Sequence, residues 1–523
     1  MRTYVEARAA AIGGDHRQAA QLLAALAKIE PDQPEIARRA FTEALDAGQF
    51  DLALNLARAT PAGKLNSDAR MLIVADEIRH GRSDYARKWL AVVGETGDLT
   101  FLSPLISAWD AADHGDSQRA LAALDQIGST SLLAPLAAEQ RALILLKFKR
   151  SAEAEPFARR AVGSAGSRED RVRLALADGF LASGDKARAL MIIDGMGGGA
   201  TAARARIAAG KPSGQAIDNG ARAFSDAVAA FASDLTRMQR AQAPVGLVQV
   251  ARFADPQNSG ATLLLAVLLD HQDRSPEALA LLGAINRDDA LISPIRDVQA
   301  RILIDRKQVN EAYQIAAPAA AAADAGPDDF SRLGEVYAAM KRSDLAADAY
   351  GRAIALAEAQ GPRADLWTLH LLQASAFEDA NRWPQAKATL AKGLALAPDE
   401  PLLLNFLGYA KLERGEDVEA AEAMIRKASE LNPNDASITD SLGWAQFKRG
   451  KTGESIATLQ KAAEKDPGQA EIQEHLGDAL FTSGRRLEAR FAWNAALITA
   501  GDDIAGRVRA KIAGGMTSAN AAP

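Results

Sequence analysis

Small apolar residues recur along this chain at a fixed interval, and the interval is that of a pair of helices. A glycine followed five residues later by alanine stands at Gly14/Ala19, Gly48/Ala53, Gly81/Ala86 and Gly115/Ala120, then as Lys149/Ala154 and Gly184/Ala189. These alanines step by 34, 33, 34, 34 and 35 residues. The small position returns at Ala278, Ala312, Ala346, Ala386, Ala421, Ser455 and Ala489, in steps of 34, 34, 40, 35, 34 and 34. A period of this length marks a repeat whose units each leave one face uncovered and must stack on their neighbours. The glycine falls where the first helix of the unit, helix A, ends and the chain turns. The alanine falls where the second, helix B, crosses A so closely that a larger side chain would force them apart. Proline closes several units at Pro31, Pro398, Pro433 and Pro467, where it stops helix B.

Two places break the rhythm. From Ala189 to the next plausible helix pair, near Ala243, the chain runs 54 residues, one repeat plus about twenty. The excess holds Gly195, Gly197, Gly198 and Gly199, then Gly210-Lys211-Pro212-Ser213-Gly214. It predicts a break over 195–220 with one short helix, Ala200 to Ala209, that acts as a hinge. The 40-residue step from Ala346 to Ala386 predicts a longer helix B and a loop around Gly361-Pro362. Beyond the last repeat, Ile504, Val508 and Ile512 recur at four-residue steps behind Asp502 and Asp503, the pattern of a capping helix. Residues 514–523 are small and polar and are expected to be disordered. The expected division is therefore repeats over 1–194, the break over 195–220, middle repeats over 221–325, the most regular repeats over 326–500, the cap over 501–513, and the tail.

The most regular units carry a recognisable motif. Leu333-Gly334, Tyr337, Ala346, Tyr350 and Ala353 form one set; Leu407-Gly408 goes with Ala421, Ile425, Ala428 and Pro433, and Leu442-Gly443 with Leu459, Ala462 and Pro467. Leu476-Gly477 with Ala489, Trp493 and Ala496 closes the series. In these residues the chain resembles the tetratricopeptide repeats. The resemblance implies an all-α fold, a right-handed superhelical solenoid of helix pairs. The first four units lack the Leu-Gly pair and Ser455 replaces one alanine, so in the N-terminal half the period carries more weight than the motif.

Composition narrows the chemistry. The 61 basic and 67 acidic residues leave a net charge of −6 with no basic block, which argues against nucleic acid as a partner. The absence of cysteine excludes disulfides, thiolate metal sites and thiol nucleophiles within these residues. The longest apolar run, Ala261 to Leu269 broken only by Thr262, is far shorter than the roughly 20 residues that span a bilayer. The opening residues, Met1 to Glu6, contain no apolar stretch of signal-peptide length.

Candidate catalytic or ligand motifs fail one by one. Gly195-x-Gly197-x-x-Ala200 nominally fits a dinucleotide fingerprint but has no preceding strand. Gly210-Lys211 has Pro212 where a phosphate loop needs a hydroxyl. His16, His80, His114, His271, His370 and His475 are scattered, without an i, i+4 pair or an acidic cluster beside them, and give no metal site. Asp288-Asp289, Asp328-Asp329 and Asp502-Asp503 stand at expected helix starts, where carboxylates cap and meet the helix dipole. No convergent catalytic set and no cofactor site emerge, so the expectation is a binding protein and not an enzyme.

The resemblance implies that helix A lines the concave face of the array. On that basis Tyr409, Leu412 and Glu413, Trp444, Phe447 and Lys448, and Asp478 and Phe481 look inward, joined by Asn405, Asp440 and Glu474 three residues before each motif glycine. Such a strip of rings flanked by amide and acid groups suits a protein partner or an extended peptide. For Trp444 and Phe447, packing between neighbouring A helices is the alternative. The series Asn405 to Tyr409, Asp440 to Trp444 and Glu474 to Asp478, with Gly484-Arg485-Arg486 and Trp493, is similar to the C-terminal repeats of proteobacterial envelope proteins. The N-terminal half and the run Arg507 to Ala522 are similar to a sphingomonad-like branch. That resemblance implies a cleaved export signal, a periplasmic location with a cytoplasmic one as the alternative, and an adaptor role toward a carboxyl-terminal processing protease or a cell-wall hydrolase. A structural subunit of an export or assembly complex for polysaccharide, pili or outer-membrane proteins is the second reading. These residues hold no lipid-attachment cysteine, which leaves the membrane anchoring of that group an open question for this sequence.

Overall fold

A computed structural model describes every residue except 1, 93–96, 195, 197–200, 238–243, 362–364 and 523. Among the described residues the chain is helical throughout and has no β-strand. It divides into two compact units, Met1–Arg332 and Leu333–Pro523.

One backbone device generates the repeats. The residue five before the small position is left-handed in nearly every unit: φ is 82° at Gly14, 81° at Gly115 and 89° at Gly184, and 58° at Lys149, 61° at Lys307 and 58° at Lys341. Before Ala421 the pattern shifts, with Gly415 and Asp417 taking the positive φ values instead. A left-handed residue is what lets helix A stop and the chain reverse within two residues. Helix B then crosses A on the small side chain: Ala19, Ala53, Ala86, Ala120, Ala154, Ala189, Ala278, Ala312, Ala346, Ala386, Ala421, Ser455 and Ala489 are all completely buried. Ser455 keeps its hydroxyl satisfied by donating to the carbonyl of Gly443 at 2.8 Å. The motif glycines serve the same crossing from the other side. A Cβ at Gly408 would stand 2.7 Å from Ile425, and one at Gly443 2.7 Å from Leu459.

The first unit departs from a plain stack. Its repeats run from helix Arg2–Ile12 to helix Lys186–Ile193, and stacking resumes with the pairs Ser259–Asp270/Ser275–Gly283 and Ile292–Asp305/Val309–Ala320. Both of these pairs lie within the span 221–325 expected for middle repeats, which also holds the helices Gly220–Arg237 and Val245–Ala254; the latter two pack differently. They turn back onto helices Pro34–Asp46, Ser67–Arg79 and Ser103–Asp113. Gln249 donates to the carbonyl of Asp46 at 2.9 Å, Phe253 meets Phe50 at 5.2 Å, Phe231 meets Phe101 edge-on at 5.5 Å, and the N–H of Gly220 reaches Asp113 at 2.9 Å. As a result Ser67–Arg79 is buried from Ala69 to Ile78, because helix B neighbours cover one side and the returning pair covers the other. Ala243 lies outside the described residues.

The break expected at 195–220 can be described in part. Gly195, Gly197, Gly198, Gly199 and Ala200 lie outside the described residues, and the short helix spans Thr201–Ala208. From Ser213 onward the strand of chain is clamped. Buried Asp178 accepts the backbone N–H groups of Ser213, Gly214 and Gln215 at 2.5, 3.0 and 2.9 Å and the Ser213 hydroxyl at 2.9 Å, while Arg171 donates to the carbonyl of Gln215 at 2.5 Å. A carboxylate that accepts three consecutive amides ties this end of the break to the helix that carries Asp178.

In the second unit the pairs Leu366–Asp379/Trp383–Leu396, Pro401–Glu413/Val418–Leu431, Ala436–Lys448/Thr452–Lys465 and Ala470–Thr482/Arg486–Thr499 stack in order, followed by helix Asp502–Gly514. The long step is taken up by an 18-residue helix B, Ser343–Gln360, ending at Gly361 with φ 114°; Pro362 lies outside the described residues. The tail expected to be disordered is placed instead: Met516 packs with Phe481 and Trp493 in the last core, and Ala522 is buried beside Leu412 and Trp444.

Candidate protein-binding face of the second unit

Three successive A helices, Pro401–Glu413, Ala436–Lys448 and Ala470–Thr482, present equivalent positions to one face, since residues three to four apart share a helix side. Asn405, Asp440 and Glu474 occupy one row; Tyr409, Trp444 and Asp478 occupy the next. The row chemistry changes along the face. Glu474 and Asp478 are completely buried, and so is the Lys511 of the capping helix that joins them at 2.6 and 2.7 Å. Arg507 adds a two-pronged pair to Glu474 at 3.1 and 2.8 Å. Burial alone would push the Glu474 carboxyl up, but the Arg507 and Lys511 hydrogen bonds outweigh it and hold it below the ordinary value.

The middle row is a stack of rings. Trp444 is fully buried, nearly parallel to Phe447 at 4.8 Å and to His475 at 4.1 Å, with Lys448 5.0 Å above its ring. His475 bonds through Nδ1 to Asp440 at 2.9 Å. Its burial disfavours the charged ring, but Asp440, with Glu471 and Asp478 behind it, reverses the balance and raises its pKa. At the near end Tyr409 is half-buried, and burial followed by the charges of Glu471, Glu413 and Asp440 pushes its hydroxyl up. The side-chain oxygens Asn405 Oδ1 and Asp440 Oδ1 and the ring nitrogen His475 Nε2 are shielded from solvent and have no hydrogen-bond partner.

Comparison with known proteins places these helices. Residues 371–436 and 441–503 match the tetratricopeptide repeat family. The chain is also similar to a chain of the APC/C Cut9–Hcn1 hetero-tetramer, at 15% identity over 99% of this chain and 96% of that one, with a TM-score of 0.40. It is similar to YrrB, a TPR protein with an unusual peptide-binding site, at 18% identity over 35% of this chain and 91% of that one (TM-score 0.27). A third likeness is to pilF of Pseudomonas aeruginosa, at 19% identity over 36% and 82% (TM-score 0.31). No curated protein matches the sequence.

Set against the tetratricopeptide repeats, the inward residues expected from sequence separate into two groups. Asn405, Tyr409, Phe447 and Lys448 keep accessible surface on the face. Leu412, Asp440, Trp444, Glu474 and Asp478 are buried, so for Trp444 the packing alternative describes its surroundings. Phe481 is half-covered: a Cβ at Gly515 would stand 3.1 Å from its ring, and Trp493 lies 5.4 Å away. Sequence reasoning missed Arg507, Lys511, His475 and Ala522. A signal for the first two was present, because Glu474 and Asp478 repeat at i, i+4 on one helix and Arg507 and Lys511 at i, i+4 on the next. Among the described residues no group of three His, Asp or Glu is placed to hold a metal ion, and no helix is long and apolar enough to cross a membrane.

Proposed function

We propose that the chain is a non-catalytic scaffold, and that the A-helix face of its second unit holds an extended segment of a partner protein. Tetratricopeptide repeats generally serve as protein-interaction scaffolds, and the segments matched to the family, 371–436 and 441–503, carry this face. The observation that supports the reading most is the set of orphan polar atoms on consecutive repeats, Asn405 Oδ1 and Asp440 Oδ1, beside the half-buried Tyr409. A shielded acceptor left unmade costs about 1 to 3 kcal/mol, a cost that a donor group on a partner would relieve.

The envelope adaptor role, with a processing protease or cell-wall hydrolase as partner in the periplasm, extends this proposal on the strength of the resemblance described first; a subunit of an export or assembly complex is its alternative. Co-purification from the native organism separates the two, with one soluble enzyme expected for the adaptor and membrane components for the subunit.

The face itself is tested with Asn405→Ala and Tyr409→Ala in the full chain. Each is expected to weaken binding of the co-purified partner about thirtyfold, about 2 kcal/mol, with the thermal midpoint nearly unchanged. Unaltered affinity in both variants sinks the assignment. Phe481→Ala is a poorer test because Phe481 also packs against Trp493.

A further inference from the structure

The face is not empty in the chain's own structure. After helix Asp502–Gly514 the chain crosses back over the last repeats. A turn starts it: Asn520 Oδ1 accepts the Thr517 N–H at 2.6 Å and the Thr517 hydroxyl at 3.2 Å, and Asn520 Nδ2 donates to the carbonyl of Gly515 at 3.1 Å. Ala522 then donates its backbone N–H to Asp478 Oδ2 at 2.9 Å and is only 4% exposed. Its methyl group joins Leu412, Leu442, Trp444 and Ala445, with Tyr409 and Phe447 alongside. A backbone amide on a face carboxylate and a small side chain in an aromatic-walled seat are contacts a bound peptide would make.

The segment is also built to let go. Residues 516–522, Met-Thr-Ser-Ala-Asn-Ala-Ala, carry no charged side chain, and among the described residues the far end is held by the Ala522 N–H bond to Asp478 and by its methyl group. Contacts this few suffice only because the tether keeps the local concentration high. A partner must displace them, so its apparent affinity falls by the fraction of time the seat is open.

We propose that residues 516–522 are a built-in competitor for the partner site, and that the partner presents an extended, uncharged segment whose small residue takes the seat of Ala522. This rests on the reading of the face as a protein-binding site. The seat favours such a segment because Lys511 already neutralises Asp478, leaving the carboxylate free to accept an amide but with little pull on a further cation.

The test uses the full chain, wild type and Ala522→Glu, whose larger acidic side chain cannot enter the seat beside Asp478. Asn520→Ala, which loosens the turn without touching the face, is a second variant. The probe is a fluorescent peptide of residues 515–522 with both ends blocked. Both variants are expected to bind it at least tenfold more tightly than wild type, and a probe with the Ala522→Glu change is expected to bind none of them. In wild type the Ala522 amide should exchange with solvent more slowly than in the free peptide. Equal probe affinity across the three chains, or exchange of Ala522 at the free-peptide rate, overturns the competitor. If the probe discriminates but the purified partner fails to displace it, the self-contact stands and the protein-binding reading of the face falls.

Discussion

Trp493 lays its indole across the backbone of Gly477 and donates its Nε1–H to the carboxylate of Asp478 at 2.9 Å. A Cβ on residue 477 would overlap the ring. Gly477→Ala is therefore expected to destabilise the second unit by about 1 to 2 kcal/mol, overpacking outweighing the gain in helix propensity. Gly506, inside the capping helix with open space around it, is the control: Gly506→Ala should stabilise by about 0.5 to 1 kcal/mol. Urea unfolding of the two variants checks the pair, and shifts of the same sign would contradict it.

Lys307 and Lys341 hold the left-handed turn position at φ 61° and 58°, where the first repeats use glycine. An L side chain there costs roughly 1 to 2 kcal/mol, partly offset by the greater freedom of glycine in the unfolded chain. Lys307→Gly and Lys341→Gly should each stabilise by about 0.5 kcal/mol, whereas Gly115→Ala should destabilise. Thermal midpoints decide the matter, and a loss of stability in either lysine variant would refute the assignment.

His475 gains its proton more readily in the folded chain than outside it. Stability from this source is fully present below its ordinary value of 6.5 and is lost as pH rises through the raised folded value. Unfolding midpoints measured from pH 6 to 9 should decline with a contribution that His475→Gln removes. An identical pH slope in the variant would show that the Asp440 contact does not bias the proton.

In the first unit the titration runs the same way for another reason. Glu139 is buried next to Asp226, and desolvation followed by that neighbouring charge raises its pKa, against the opposing pull of Arg168. A raised carboxyl stabilises below its ordinary value of 4.5 and stops doing so as pH climbs through the folded value. Glu139→Gln, neutral at every pH, should leave stability near pH 5 almost unchanged and raise it at pH 9. A variant less stable than wild type at pH 9 would show that the Arg168 pair outweighs the carboxylate repulsion.

The repeat itself was legible because its turn and crossing are single-residue devices: a left-handed residue and, five positions on, a side chain no larger than alanine or serine. Even Lys149, which breaks the glycine pattern, takes φ 58°. The helices Gly220–Arg237 and Val245–Ala254 were read as repeats because a helix that packs on a neighbour in a stack and one that folds back across the stack carry the same amphipathic pattern. What distinguishes them is the partner, and the partners of Gln249 and Gly220 are Asp46 and Asp113, distant in sequence. The tail was missed for the opposite reason. Its contacts are a backbone amide, an asparagine turn and one methyl group, none of which leaves a periodic trace. On the candidate face, the row positions were legible from the motif, but the burial of Glu474 and Asp478 depended on Lys511, which no pattern on the A helices announces.

The returning helices also set the order in which the first unit can be made. A tandem array folds by nearest neighbours, each repeat completing its surface as it arrives. Here Gln249 closes on Asp46 across 203 residues, and the helices from Pro34 to Asp113 keep an apolar flank bare until Ala254 has been synthesised. Folding of this unit is thereby converted from local zippering into a late, long-range closure, slower than its helical content would suggest. During translation that bare flank is the stretch most in need of shielding from aggregation.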